Sequence, residues 1–158
     1  HFEESGFTPA MATTAVSTIA GMGIFSKLAF GRASEKITAR IATILSIALQ
    51  MVGVLIIAQV DASHLLWLGI FVFGLGFGGL GALALLVVQE MFGMKEFGGI
   101  MGIMQVGMIA SGTGAPMMAG AIHDSSGSFD TAFLIVAAIF IVGIAALALA
   151  RPVETENL

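Results

Sequence analysis

GRASEKITAR, Gly31 to Arg40, is the stretch on which the reading of this sequence turns. It gathers Arg32, Glu35, Lys36 and Arg40 into ten residues, and long apolar runs lie on both sides of it. A membrane span needs about 20 mostly apolar residues. A dense polar hinge between two runs of that length implies two spans that meet at one membrane surface.

Composition extends the reading to the whole chain. Of 158 residues, 58% are hydrophobic and 10% charged, and the mean hydropathy is +1.04. A soluble domain carries roughly 25% charged residues, so this chain has too little charge to cover a water-facing surface. The six Lys and Arg are scattered and the net charge is −4, which leaves no basic face for nucleic acid. With no cysteine there is no disulfide framework, thiolate metal site or cysteine nucleophile. His1, His64 and His123 lie far apart, and none stands at metal-ligand spacing from an acid. The opening HFEESGF is acidic and begins with His1. It is no signal peptide, and we expect the chain to continue upstream.

Five spans follow, at about 9–30, 41–60, 65–89, 97–122 and 131–150, with residues 31–40 as a hinge loop. The expected fold class is an all-α integral membrane protein with five transmembrane helices. Pro9 suits a first helical turn. Trp67 suits the interface. Simple alternation of the spans puts Arg32, Lys36, Arg40, Lys95 and Arg151 on one face, with Lys27 near the same end of its span. The opposite face holds no Lys or Arg. Cations accumulate in cytoplasmic loops, so the hinge and the C-terminus are expected in the cytoplasm. Glycines recur four apart, as Gly74 with Gly78 and Gly98 with Gly102. This spacing lets helix backbones approach closely, and packing is its main reading.

The hinge has a fainter echo. Laying Gly23 on Gly112 also lays Gly31 on Gly120 and Glu35 on Asp124, while Arg40 falls on Phe129. The two copies sit on opposite faces, as an inverted-topology repeat requires.

These residues carry a resemblance. The hinge resembles the loop signature of the major facilitator superfamily: Gly, three residues, Asp-Arg, one residue, Gly, then two basic residues. Gly31 stands at the glycine, Glu35 at the acid, Lys36 at the first base and Arg40 at the last. Thr38 replaces the second glycine and Ala39 a base. The degenerate form resembles the hinge between the eighth and ninth of twelve helices, and GTGAPMMAGAIHDSSGSFDTAF resembles the eleventh-to-twelfth junction. The resemblance implies a twelve-helix fold with inverted repeats, of which this chain supplies helices eight to twelve, and an N-terminal half as partner. It implies movement of a small solute by alternating access as a secondary transporter, with a coupling proton or counter-anion. It further implies an integral protein of the bacterial inner membrane, with no cofactor and no enzymatic activity. HFEESGF and a cation four residues before the hinge glycine are similar to the oxalate/formate and monocarboxylate branch, which implies an organic anion such as a monocarboxylate. The fourth span has no Lys or Arg, unlike an oxalate-type exchanger. A neutral or drug-like solute is the alternative within this fold, and a non-transporting membrane scaffold the alternative outside it.

Lys27 is the first candidate for substrate contact. It lies two helical turns, about 12 Å of rise, before Glu35. A cation inside the hydrocarbon needs a cavity, a partner or a stem that bends to the interface. Gln105 is a second lining candidate, while Ser111 reads as packing. Gly31, Glu35, Lys36 and Arg40 form the expected conformational hinge, with Gly120 and Asp124 as its outer counterpart. By resemblance, Glu35 docks near the start of the fourth span when the cytoplasmic side is closed. Asp124 reads as a turn or helix cap. Pro116 is placed to bend the fourth span at a gate. No Ser-His-acid set or facing carboxylate pair is present. GLGFGG lies inside an apolar run, without the strand and base that a phosphate loop needs.

Overall fold

A computed structural model describes residues 9–59 and 64–150. All regular structure among the described residues is helical: α1 (Pro9–Lys36), α2 (Ala39–Ala58), α3 (His64–Phe77), α4 (Leu80–Phe92), α5 (Phe97–Ser126) and α6 (Asp130–Leu149). α3 and α4 are the two pieces of the expected third span, so the described residues make five rods. Among the described residues four stretches are long and apolar enough to cross a membrane: Thr13–Lys36, Ala39–Ala58, His64–Phe92 and Asp130–Leu149. α5 is long enough as well, at 30 residues, but Gly, Gln105, Ser111, Thr113 and Pro116 dilute its aliphatic content.

The hinge differs from the expected loop. α1 runs through Gly31 to Lys36 without interruption, and only Ile37 and Thr38 separate it from α2. Ala33, Glu35 and Lys36 are good helix formers, and leaving the hydrocarbon does not by itself end a helix. The terminating signal is Thr38. Its backbone is extended and its side chain accepts a hydrogen bond from Ile41 N at 3.3 Å, which caps α2. GRASEKITAR is therefore the last two turns of α1, a two-residue corner and the first residues of α2. The expected turn at 61–64 lies outside the described residues except for His64, which opens α3. Arg151 and the tail also lie outside them.

α2 is the central rod. α3, α4 and α6 pack on it, and α1 packs on α3. The bundle centre is built of small and polar groups as much as aliphatic ones. Ala42, Ser46 and Gln50 are buried on α2, Ser26 on α1, and Leu66, Ile70 and Leu83 on α3 and α4. A further cluster of Ala15, Leu66 and Ile70 is flanked by Ile19, Ile57 and Trp67. Trp67 thus packs inward on that cluster as well as standing near a span end. The outside is aliphatic: Ile103 is 77% exposed and Leu149 81%. Side chains this apolar and this open suit lipid. The hydroxyls of α1 do not conflict with that setting. Thr14, Ser17 and Thr18 each donate to the carbonyl four residues earlier, so their polar groups are satisfied within the helix.

Candidate functional site

Two contacts tie the start of α2 to the ends of other helices. Ala39 N donates to Glu90 Oε2 at 2.6 Å, across from the last turn of α4. The first amides of a helix lack intrahelical acceptors and carry partial positive charge, so a carboxylate is favoured there. Arg40 Nε donates to Leu147 O at 2.6 Å, and Arg40 Nη2 donates to Ala148 O. The last carbonyls of α6 are thereby capped by a cation, the mirror case. Adjacent residues of the hinge therefore gather the end of α1, the start of α2 and the ends of α4 and α6 at one end of the bundle. Arg32, Lys36 and Arg40 lie at that end, as simple alternation of the spans requires.

Beside the first contact lies an open cleft of about 350 Å³, lined by Ser34, Glu35, Ala39, Leu86, Gln89 and Glu90. Two carboxylates thus share one recess. Glu35 is exposed and makes no ion pair among the described residues. In this arrangement Glu90, not Glu35, meets a helix N-terminus at the hinge. Glu96 stands at the N-cap of α5 without a side-chain capping bond. Lys36 is exposed near the cleft, at the end of α1.

Lys27 is exposed on α1, nine residues before that helix ends at Lys36, and has no carboxylate partner among the described residues. Because α1 is continuous, the rise of about 12 Å from Lys27 to Glu35 holds. Gln105 is exposed on α5. α5 packs on α4 and α6, while α1 packs on α3, α2 and α4, so packing within this chain does not bring Lys27 and Gln105 together. Ser111 donates to Met108 O at 3.0 Å, within its own helix.

At the other end of the bundle, Asp124 lies inside α5 with its side chain 87% exposed, 3.9 Å from His123 Nδ1. The turn that follows is made by other residues. Gly127, at φ 71°, donates to His123 O at 2.8 Å and closes α5; a left-handed backbone there favours glycine. Ser128 Oγ accepts from Asp130 N at 3.0 Å. Asp124 is therefore not the cap of this turn. A Cβ added at Gly31 or Gly120 would meet nothing within 4 Å, so neither glycine is needed for a close approach among the described residues.

A family model described as Major Facilitator Superfamily matches residues 2–158. The chain belongs to the major facilitator superfamily. No curated protein and no solved structure matches it. Proteins of the major facilitator superfamily are transporters rather than enzymes. This one is accordingly an integral membrane protein and a transporter, with the all-α membrane fold of that superfamily. Three residues of this superfamily member were not singled out by its sequence. Glu90 falls there between the third and fourth spans, Ser26 is one of several polar residues of the first span, and Ser46 carries no reading. The sequence marks Glu90 only as an acid at the end of a span; its place beside the hinge is given by the bond from Ala39 N.

Proposed function

We propose that this protein moves a small organic anion, such as a monocarboxylate, across the bacterial inner membrane by alternating access. The observation that carries the reading is Lys27: a cation on a membrane-spanning helix, exposed, with no carboxylate partner among the described residues. An ionisable group at that depth is costly unless it is hydrated or paired. An anionic solute supplies the partner transiently, and Gln105 adds a neutral donor and acceptor once α5 borders the same path. Transport is secondary, coupled to a proton or a counter-anion, and a six-helix N-terminal half supplies the other wall.

In this reading the hinge end is cytoplasmic. Gly31, Glu35, Lys36 and Arg40 form the inner latch, and Gly120 with Asp124 its outer counterpart. Glu90 joins the inner set, because its carboxylate holds the first amide of α2. Uptake of labelled carboxylates into vesicles carrying the intact protein tests the proposal. Lys27→Ala is expected to abolish anion uptake while leaving expression and membrane insertion intact. Normal uptake by that variant would exclude Lys27 as the anion site. Glu35→Gln is expected to shift the balance of inward- and outward-open states more than the affinity for solute; an altered affinity with unchanged populations would contradict a latch role.

A further inference from the structure

The two flanks of the last turns of α1 differ in charge. Ser34 and Glu35 line the acidic cleft described above. At 3.6 residues per turn, Ala29, Arg32 and Lys36 fall on the flank opposite Ser34. All three are exposed, so the bundle does not cover that flank. Arg32 and Lys36 stand four apart, hence side by side on the helix. Neither has a carboxylate partner among the described residues.

A second recess lies deeper in the span. Phe30 of α1 and Leu45, Ala48, Leu49 and Val52 of α2 line an open groove of about 340 Å³. Every one of these residues is apolar. The groove exists because α1 packs mainly on α3 and only lightly on α2. The ring of Phe30 is pressed on Gly79, which fixes that wall. The α2 wall is a single stripe. Thr38, Ile41, Leu45, Leu49 and Val52 follow one another at three- and four-residue steps, and so share a face. Leu45 is 48% exposed on it. Measured along the helix from Thr38, Leu45 lies about 10 Å deep and Val52 about 21 Å. The hydrocarbon of one leaflet is about 15 Å thick. The groove therefore spans the acyl depth of the leaflet on the hinge side, and the hinge stands at its headgroup level. Thr38 is exposed there. It accepts from Ile41 N, and its hydroxyl proton has no acceptor among the described residues.

We propose that this groove holds one acyl chain of an anionic phospholipid, whose phosphate rests on Arg32, Lys36 and the Thr38 hydroxyl. Size selects a chain over a helix. A volume of about 340 Å³ spread over about 10 Å of α2 gives a cross-section of roughly 30 Å². An α-helix about 10 Å across needs roughly 80 Å². A hydrocarbon chain also brings no polar group that the apolar walls would leave unsatisfied. Charge selects the headgroup. The fork of an Arg matches phosphate oxygens and a Lys adds a point charge. A zwitterionic lipid would bring a cation of its own against both, whereas an anionic one does not. Basic residues beside membrane-spanning helices recognise anionic headgroups in this way. That the leaflet is the inner one rests on the cytoplasmic hinge proposed above; the binding itself does not.

Leu45→Trp places a fluorophore in the groove wall of the intact protein. Its signal is read against the parent in vesicles of phosphatidylcholine that carry a minor fraction of brominated lipid. Brominated phosphatidylglycerol is expected to quench it at least threefold more than brominated phosphatidylcholine at the same fraction. Leu134→Trp, exposed at the other end of the bundle, is expected to be quenched equally by both. Arg32→Gln combined with Lys36→Gln is expected to erase the preference at Leu45→Trp. Should that variant fail to fold, raising the salt to about 1 M tests the same point by screening, because the Debye length falls to about 3 Å. Equal quenching by the two lipids at Leu45→Trp would mean ordinary bilayer contact and overturn the site. Quenching by neither would mean that another protein segment covers the groove, and would overturn it too. A preference that both the Gln variant and high salt leave intact would remove the headgroup contact. Carboxylate uptake without a lipid preference would overturn the groove alone. A lipid preference in a protein that takes up no carboxylate would support the groove and refute the transport reading.

Discussion

At the hinge, two neighbouring residues reach backbone rather than side chains. Ala39 offers its amide to Glu90, and Arg40 offers its guanidinium to the carbonyls of Leu147 and Ala148. Removing a carboxylate acceptor from a helix N-terminus costs about 1 kcal/mol in soluble hosts, and the exposure of Glu90 lowers this. Glu90→Ala is therefore expected to reduce thermal stability in detergent by a small amount, and Glu90→Gln by less, because an amide oxygen still accepts. An unchanged melting temperature in Glu90→Ala would remove the contact from the account. Arg40→Ala is expected to cost about 1 kcal/mol through the uncapped end of α6. Arg40→Lys should restore part of that loss, since it keeps the charge but not the fork that spans two carbonyls. Equal melting temperatures for Arg40→Ala and Arg40→Lys would mean that charge at the helix end contributes nothing. The sequence made Arg40 stand out as a cation of the hinge motif. Its partners could not be read there, because sequence patterns pair side chain with side chain and both partners are main chain. Glu90 was hidden for the same reason.

Among the elements, α1, α2 and α6 lie within a few residues of the spans that hydropathy outlines; at the hinge the difference is six residues of additional helix, from Gly31 to Lys36. Hydropathy marks where hydrocarbon ends, whereas the helix ends where Thr38 caps the next one. The break between α3 and α4 was not legible. GLGFGGLG reads as close packing, and packing is what Gly74, Gly76 and Gly78 do; the same run also parts α3 from α4, and there Ser26 and Ser46, distant in sequence, donate to Leu75 O and Gly76 O. The two roles of glycine separate by substitution. Gly78→Ala, whose methyl would overlap the backbone of Gly23, is expected to cost on the order of 1–3 kcal/mol, the range for overpacking. Gly120→Ala, with open space around it, is expected to stay within about 0.5 kcal/mol of the parent. Thermal unfolding in one detergent ranks the two, and equal melting temperatures would contradict the interlocked packing of α1 and α3.

For the whole molecule, the membrane class was legible from composition alone, because a chain with so little charge must present aliphatic side chains outward, as Ile103 and Leu149 do. The superfamily followed from the spacing of Gly31, Glu35, Lys36 and Arg40 together with the GTGAPMMAG junction, and the family match over residues 2–158 bears it out. The solute is another matter. α5 contributes no buried residue, and among the described residues Lys27 and Gln105 stand on helices with no substantial packing between them, so these contacts do not close the walls of a path. What composition and packing leave is Lys27, a cation on a membrane-spanning helix with no carboxylate partner among the described residues. The most direct measurement is therefore counterflow of radiolabelled carboxylates in proteoliposomes of the intact protein, with Lys27→Ala in parallel. Accumulation driven by an internal pool of the same carboxylate, lost in Lys27→Ala, is the expected result. Flux of a neutral or drug-like compound without any carboxylate flux, or carboxylate flux that Lys27→Ala leaves unchanged, would contradict it.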